Sequence, residues 1–197
     1  MDGLIVALIS GAFVAGVIAH IINMRIRRKL RVGRVTEFEI TTQNLIESTV
    51  HRTLADRALI IKLHNGGKIF AGVQKYITVL QEYNSENLRS VKEDFQNYKV
   101  DAAYMQMINT IISEGLFIQE VNKLPEGFLK RRYEYEGIKS TVIYYINQTD
   151  HALYFGSFST TKSFSDFVGS HEYSILESVI SKIRNKYKQA KKEKILK

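Results

Sequence analysis

Few strings in the chain could carry chemistry. His64, Asn65, Gly66 and Gly67 stand together after an apolar run. Two glycines permit positive φ and leave backbone N–H groups open to an anion, and the histidine titrates near neutral pH. The same four residues also make an ordinary strand-ending turn. His151 and His171 fall on separate segments, and none of these three histidines has a ligating partner at i+3 or i+4, so no metal site is read. The chain holds no cysteine, which excludes thiol catalysis, thiolate zinc, iron–sulfur clusters and disulfides together. Neither a phosphate loop ending in Lys-Ser/Thr nor a dinucleotide fingerprint occurs. With no nucleophile, base and orienting group in view, the expectation is a protein without catalysis and without a cofactor. Binding is the remaining chemistry. Tyr133, Tyr135, Tyr144, Tyr145, Tyr154, Phe155 and Phe158 cluster along the second half of the chain. Core packing explains most of such a set, and a small-ligand pocket is the functional alternative. Tyr144 and Tyr154 therefore join the His64–Gly67 turn as residues expected to meet a ligand or partner.

The elements that position these residues begin with an apolar rod. From Gly3 to Ile22 no charged residue occurs. Twenty residues of helix span about 30 Å, the thickness of a bilayer core, so a transmembrane helix over 1–23 is expected. Asp2 precedes the run and Arg25, Arg27, Arg28, Lys29, Arg31 and Arg34 follow it, the opposite of a cleaved leader. These six cations form a basic juxtamembrane segment, 24–35, suited to anionic headgroups. By the positive-inside rule they place the soluble part in the cytoplasm, at the inner membrane. Gly3, Ala7, Gly11, Ala15 and Ala19 recur every four residues, and small side chains on one face let two helices approach closely, so a homo-oligomer is expected.

Net charge is +8, yet residues 35 to 181 carry 14 Lys and Arg against 18 Asp and Glu. The basicity lies in the flanks. Residues 182 to 197 hold eight cations, and only Tyr187 interleaves an aromatic with them, so they read as a solvated helix end or a membrane contact rather than a nucleic-acid surface.

Between the flanks, apolar spacing predicts a helix carrying Leu45, Ile46, Thr49, Val50, Thr53 and Leu54. Strands follow over 58–63 and 75–83, then a polar loop or weak helix over 84–97 and a helix over 102–113 stopped by Gly115. A strand over 116–121 and a short helix or loop over 125–136 come next. Strands at 141–146 and 152–159 flank the turn 147–150 as a hairpin, and an amphipathic helix over 170–188 closes the domain. The architecture expected is α+β: one antiparallel sheet of about five strands with flanking helices over 36–188, and a basic tail, 189–197.

That element order resembles the GAF domain, a sensory fold related to PAS domains. Glu136-Gly137-Ile138-Lys139-Ser140-Thr141-Val142 is similar to the segment entering the GAF hairpin, Tyr154-Phe155-Gly156-Ser157-Phe158 to its returning strand, and Phe164-Ser165-Asp166 through Leu176 to its closing helix. The resemblance implies a sensory or binding module that meets a small ligand or a regulatory protein. The missing cysteine departs from bilin-carrying members. The stretch from Ala55-Asp56-Arg57 to His64–Gly67 looks like phage membrane proteins with a GAF-like domain, and a single membrane helix before a small α+β domain that ends in a helix with Leu176-Glu177-Ser178 looks like the T-even bacteriophage holin. Membership there would imply membrane permeabilisation for lysis and a periplasmic domain, against the charge bias after the span.

Overall fold

The computed structural model describes residues 2–66, 76–86, 88–163, 171–193 and 195–196, with side chains from residue 17 onward. Its elements run α1 (Asp2–Arg52), β1 (Arg57–His64), β2 (Tyr76–Asn84), β3 (Tyr98–Lys99), α2 (Ala102–Glu114), β4 (Leu116–Glu120), a 3-10 turn (Val121–Lys123), α3 (Phe128–Tyr135), β5 (Ser140–Gln148), β6 (Ala152–Thr160) and α4 (His171–Lys192). The chain divides into two compact units, Met1–Glu39 and Ile40–Lys197.

The first unit is the leading part of α1. Among the described residues no helix is long and apolar enough to cross a membrane. Most of the run Gly3–Ile22, including Gly3, Ala7, Gly11 and Ala15, lies where side chains are outside the described residues; Ala19 is described and exposed. Val17, Ile18, Ile21 and Ile22 are each at least two-fifths exposed. The basic segment, 24–35, is helical throughout. Gly33 does not break it, since a single glycine costs a helix only about 1 kcal/mol.

The second unit is built on a six-stranded antiparallel sheet in the order β3-β2-β1-β6-β5-β4. That is one strand more than expected, because β3 has only two residues and cannot show alternation. The hairpin is tighter than expected as well. Asn147 and Gln148 pair with Tyr154 and Leu153, leaving 149–151 as the turn. Side chains alternate across the strands. Leu59, Ile61, Leu63, Ile77, Val79, Ile143, Leu153 and Phe155 point to one face, where they form a core with Tyr104, Met107, Ile108 and Ile111 of α2. On the other face α4 packs against β5, burying Leu176, Val179, Ile180, Ile183 and Tyr187.

Local chemistry fixes the ends of these elements. Asp101 accepts from Tyr104 N at 2.9 Å to cap α2, and its other oxygen accepts from Phe128 N at 2.9 Å, so one carboxylate starts two helices. Gly115 ends α2 at φ +79°, a conformation glycine adopts without strain, and its N–H reaches Ile111 O.

Candidate ligand-binding site

β1 brings an arginine into the core at the start of its apolar run. Arg57 is 1% exposed and spreads its donors over three elements. Nε donates to Asn84 Oδ1 at 3.0 Å, Nη2 to Arg89 O at 2.8 Å, and Nη1 to Glu136 Oε2 at the C-terminus of α3. Glu82 Oε1 lies 3.6 Å from Nε. Glu82 in turn accepts from Val91 N, Lys92 N and Ser90 Oγ, which ties the 88–97 segment to β2. A second arginine continues the network: Arg132 Nε donates to Glu136 Oε1 at 2.6 Å and Nη2 to Asp94 Oδ2 at 2.9 Å, with its guanidinium 5.8 Å from the Phe95 ring centre. A buried charge is stable only when paired and hydrogen-bonded, and Arg57 meets that condition.

Beside this network lies a cavity of about 30 Å³ between the sheet and the 88–97, α2 and α3 segments. Leu59, Ile61, Ile77, Val79, Val91 and Ile143 supply aliphatic walls, and Phe95, Tyr104, Phe128 and Tyr133 aromatic ones. Arg57, Arg132 and Ser157 mark its polar end. Tyr133 Oη lies 3.2 Å from Thr141 Oγ1 and 3.3 Å from Ser157 Oγ, so hydroxyls share protons across β5 and β6. The volume is enough for one or two water-sized molecules. Desolvation, reinforced by Tyr133 and Asp101, pushes the Tyr104 hydroxyl well above its ordinary range, so it stays neutral.

The residues that the sequence marks for chemistry fall mostly elsewhere. Of the seven aromatics, Tyr133 lines the cavity, and Phe155 and Tyr145 pack in the same core. Tyr144 and Tyr154 point to the opposite face, because neighbours along a strand face opposite ways. Tyr154 meets Tyr187 of α4 at 5.3 Å, and Tyr144 stacks on Phe158 at 5.3 Å. Tyr135 is 84% exposed. No spacing rule brings Arg57, Glu82 and the Arg132–Glu136 pair together; the local signals are the i,i+4 spacing of Arg132 and Glu136 and a lone arginine opening an apolar strand.

His64 ends β1, and Gly67 lies outside the described residues, as does Phe164-Ser165-Asp166. Gly66 N donates to His64 Nδ1 at 3.1 Å, which makes Nε2 the protonated nitrogen facing Thr78 Oγ1 at 2.9 Å. This neutral tautomer is favoured: desolvation first, then the nearby Lys62 charge, lowers the pKa below its ordinary 6.5. Since the unfolded chain then binds more protons, the stabilisation is complete above pH 6.5 and is lost as pH falls toward the folded value. The denaturation midpoint should drop between about pH 7 and 5.5, less steeply in His64→Gln; equal slopes in both proteins would reject this origin.

No family model matches the chain, and no curated protein matches it. Solved structures do. The phycoerythrobilin-bound GAF domain from a cyanobacterial phytochrome aligns with TM-score 0.59 and 16% identity, over 85% of this chain and 94% of that one. The GAF domain region of a protein from Geobacter sulfurreducens PCA aligns with TM-score 0.55 and 14% identity, over 80% and 97%. The GAF domain of a two-component sensor histidine kinase from Bacillus halodurans gives 0.53 and 9%, over 75% and 91%. The class is thereby defined: the domain has a GAF-like α+β fold.

Proposed function

We propose that this chain is a membrane-anchored, self-associating GAF-like sensory module that binds a small ligand or regulatory protein and performs no catalysis. The observation carrying this reading is the pairing of a charge-free run, Gly3–Ile22, and the cations behind it with a GAF-like fold. The exposure of Val17, Ile18, Ile21 and Ile22 supports it, since apolar side chains left uncovered on a helix suit a lipid environment. Arg25, Arg27, Arg28, Lys29, Arg31 and Arg34 would then lie at the headgroups of the cytoplasmic leaflet.

The ligand site in this reading is the cavity beside Arg57, not the His64 turn. No cysteine is available to attach a bilin, so a covalently held bilin is not the ligand in this reading. Reporter fusions that mature only in the periplasm or only in the cytoplasm test the topology. A cytoplasmic domain in the membrane fraction is expected; a periplasmic domain, with collapse of membrane potential on expression, would replace this reading with the holin one. For self-association, Gly11→Leu with Ala15→Leu should abolish crosslinked oligomers in membranes, because two leucines on the small-residue face hold the helices apart. Unchanged crosslinking would refute pairing through that face.

A further inference from the structure

We infer that the cavity is the closed form of a site for a small neutral, mainly apolar molecule, and that Arg132 is the latch that keeps it closed. The inference rests on the reading of this cavity as the ligand site.

The ligand class follows from charge and surface together. The polar end of the cavity joins two guanidiniums, Arg57 and Arg132, to three carboxylates, Glu82, Glu136 and Asp94. The cations are more than matched. An anionic ligand would therefore meet surplus negative charge in a partly desolvated place, which is unfavourable. The remaining walls are aliphatic and aromatic, and the hydroxyls of Tyr133 and Ser157, which bond each other at 3.3 Å in the closed form, would exchange that long bond for one with a single polar group of the ligand. A ring bearing one hydroxyl or ring N–H matches that surface, and a carboxylate does not.

The latch follows from unequal burial of the two ion pairs. Arg57 and Glu136 are 1% and 6% exposed, so that pair is fixed in the core. Arg132 and Asp94 are 25% and 38% exposed, so water competes for both and the pair separates easily. This pair joins α3 directly to the segment carrying the cavity walls Val91 and Phe95. The Phe95 ring is further held by the Arg132 guanidinium and by Phe128 at 6.0 Å. Releasing Arg132 removes the cation over the Phe95 ring and the tie to α3. The segment itself stays on β2, because the Glu82 carboxylate accepts from Ser90 Oγ, Val91 N and Lys92 N, Val79 N donates to Phe95 O, Gln96 Nε2 to Val79 O and Asn97 N to Thr78 Oγ1. The movement expected is therefore of the ring against Phe128 and Tyr98. Closed, the cavity admits a molecule or two of water; a ring needs that movement.

The test uses the full-length chain in detergent, with 4-fluorophenol as the neutral probe and 4-fluorobenzoate as the anionic one, both followed by fluorine NMR. Val79→Phe, which fills the cavity, corrects for micelle partitioning. The wild type should bind the phenol and not the benzoate. Arg132→Gln should bind the phenol about tenfold more tightly, because less binding energy goes into opening the site. Amide exchange over 91–97 should also quicken in that variant. Benzoate binding equal to phenol binding, or an unchanged phenol affinity in Arg132→Gln, overturns this inference alone. If the phenol binds Val79→Phe as well as wild type, or binds neither wild type nor Arg132→Gln, the cavity is not the ligand site and the proposed reading falls with it. Should Val79→Phe not fold, protection of 91–97 from exchange by the phenol in wild type replaces it, and absence of protection removes the cavity as the ligand site in the same way.

Discussion

Gly156→Ala is expected to cost about 3 kcal/mol, the upper end for overpacking a core. A methyl at this position would sit 2.2 Å from both Cζ and Oη of Tyr144 and 2.6 Å from Cε1. Those contacts are too short for any adjustment of the methyl alone. Tyr144 would have to move, yet it is 0% exposed, stacked on Phe158, and on the strand that packs against α4. Tyr144 pairs with Gly156 across β5 and β6, so its ring lies across the partner backbone, which only a residue without Cβ permits. For a chain of this size the loss corresponds to roughly 6–12 °C in Tm. The double variant Gly156→Ala, Tyr144→Val should recover most of it relative to Tyr144→Val alone, because the clash is with the ring. If Gly156→Ala melts within about 2 °C of wild type, where a cost of under about 1 kcal/mol would put it, the close approach is wrong.

The same pair of strands shows what local sequence can and cannot convey. Two branched and aromatic runs, 141–146 and 152–159, on either side of a polar turn announce a hairpin without reference to anything distant, and the structure contains it with slightly longer strands. Gly115 announces the end of α2 because a left-handed residue is a local requirement. The stripe Leu176, Val179, Ile180, Ile183 and Tyr187 gives α4 its buried face for the same reason. Properties set by partners far along the chain are not legible in this way. Tyr144, Tyr145, Tyr154 and Phe155 look like one aromatic group, but the strand pleat sends them to two layers. β3 exists only because Tyr98 and Lys99 meet Ile77 and Tyr76. The continuity of α1 is obscured by its change of polarity, which alters the solvent a helix prefers without altering its backbone. The cavity network is least visible, since Arg57 and Glu136 are separated by 79 residues and no short-range pattern links them.

Arg57→Met should cost about 3–5 kcal/mol, the range for removing one partner of a buried ion pair. Methionine has similar length and fills much of the space, so the loss is not chiefly a cavity. It comes from the carboxylates left behind: Glu82 and Glu136, each 6% exposed, lose the guanidinium that shared their field. Asn84 Oδ1 and the Arg89 carbonyl lose a donor as well. Arg57→Lys keeps the charge but cannot reach three separated acceptors with one ammonium, and its cost should be smaller though still clear. Glu136→Gln should cost less than Arg57→Met, because Arg57 retains Glu82 and Arg132 retains Asp94. Urea denaturation of the three variants beside wild type checks this ordering, in which Arg57→Met is the costliest and both Arg57→Lys and Glu136→Gln fall below it. An Arg57→Met midpoint indistinguishable from wild type would mean the carboxylates find water or protons at no cost, and the arginine would then be a passenger in the core. A large loss in Arg57→Met alone, with amide exchange rising together over 88–97 and 128–135, would instead identify Arg57 as the tie on which both walls of the cavity depend.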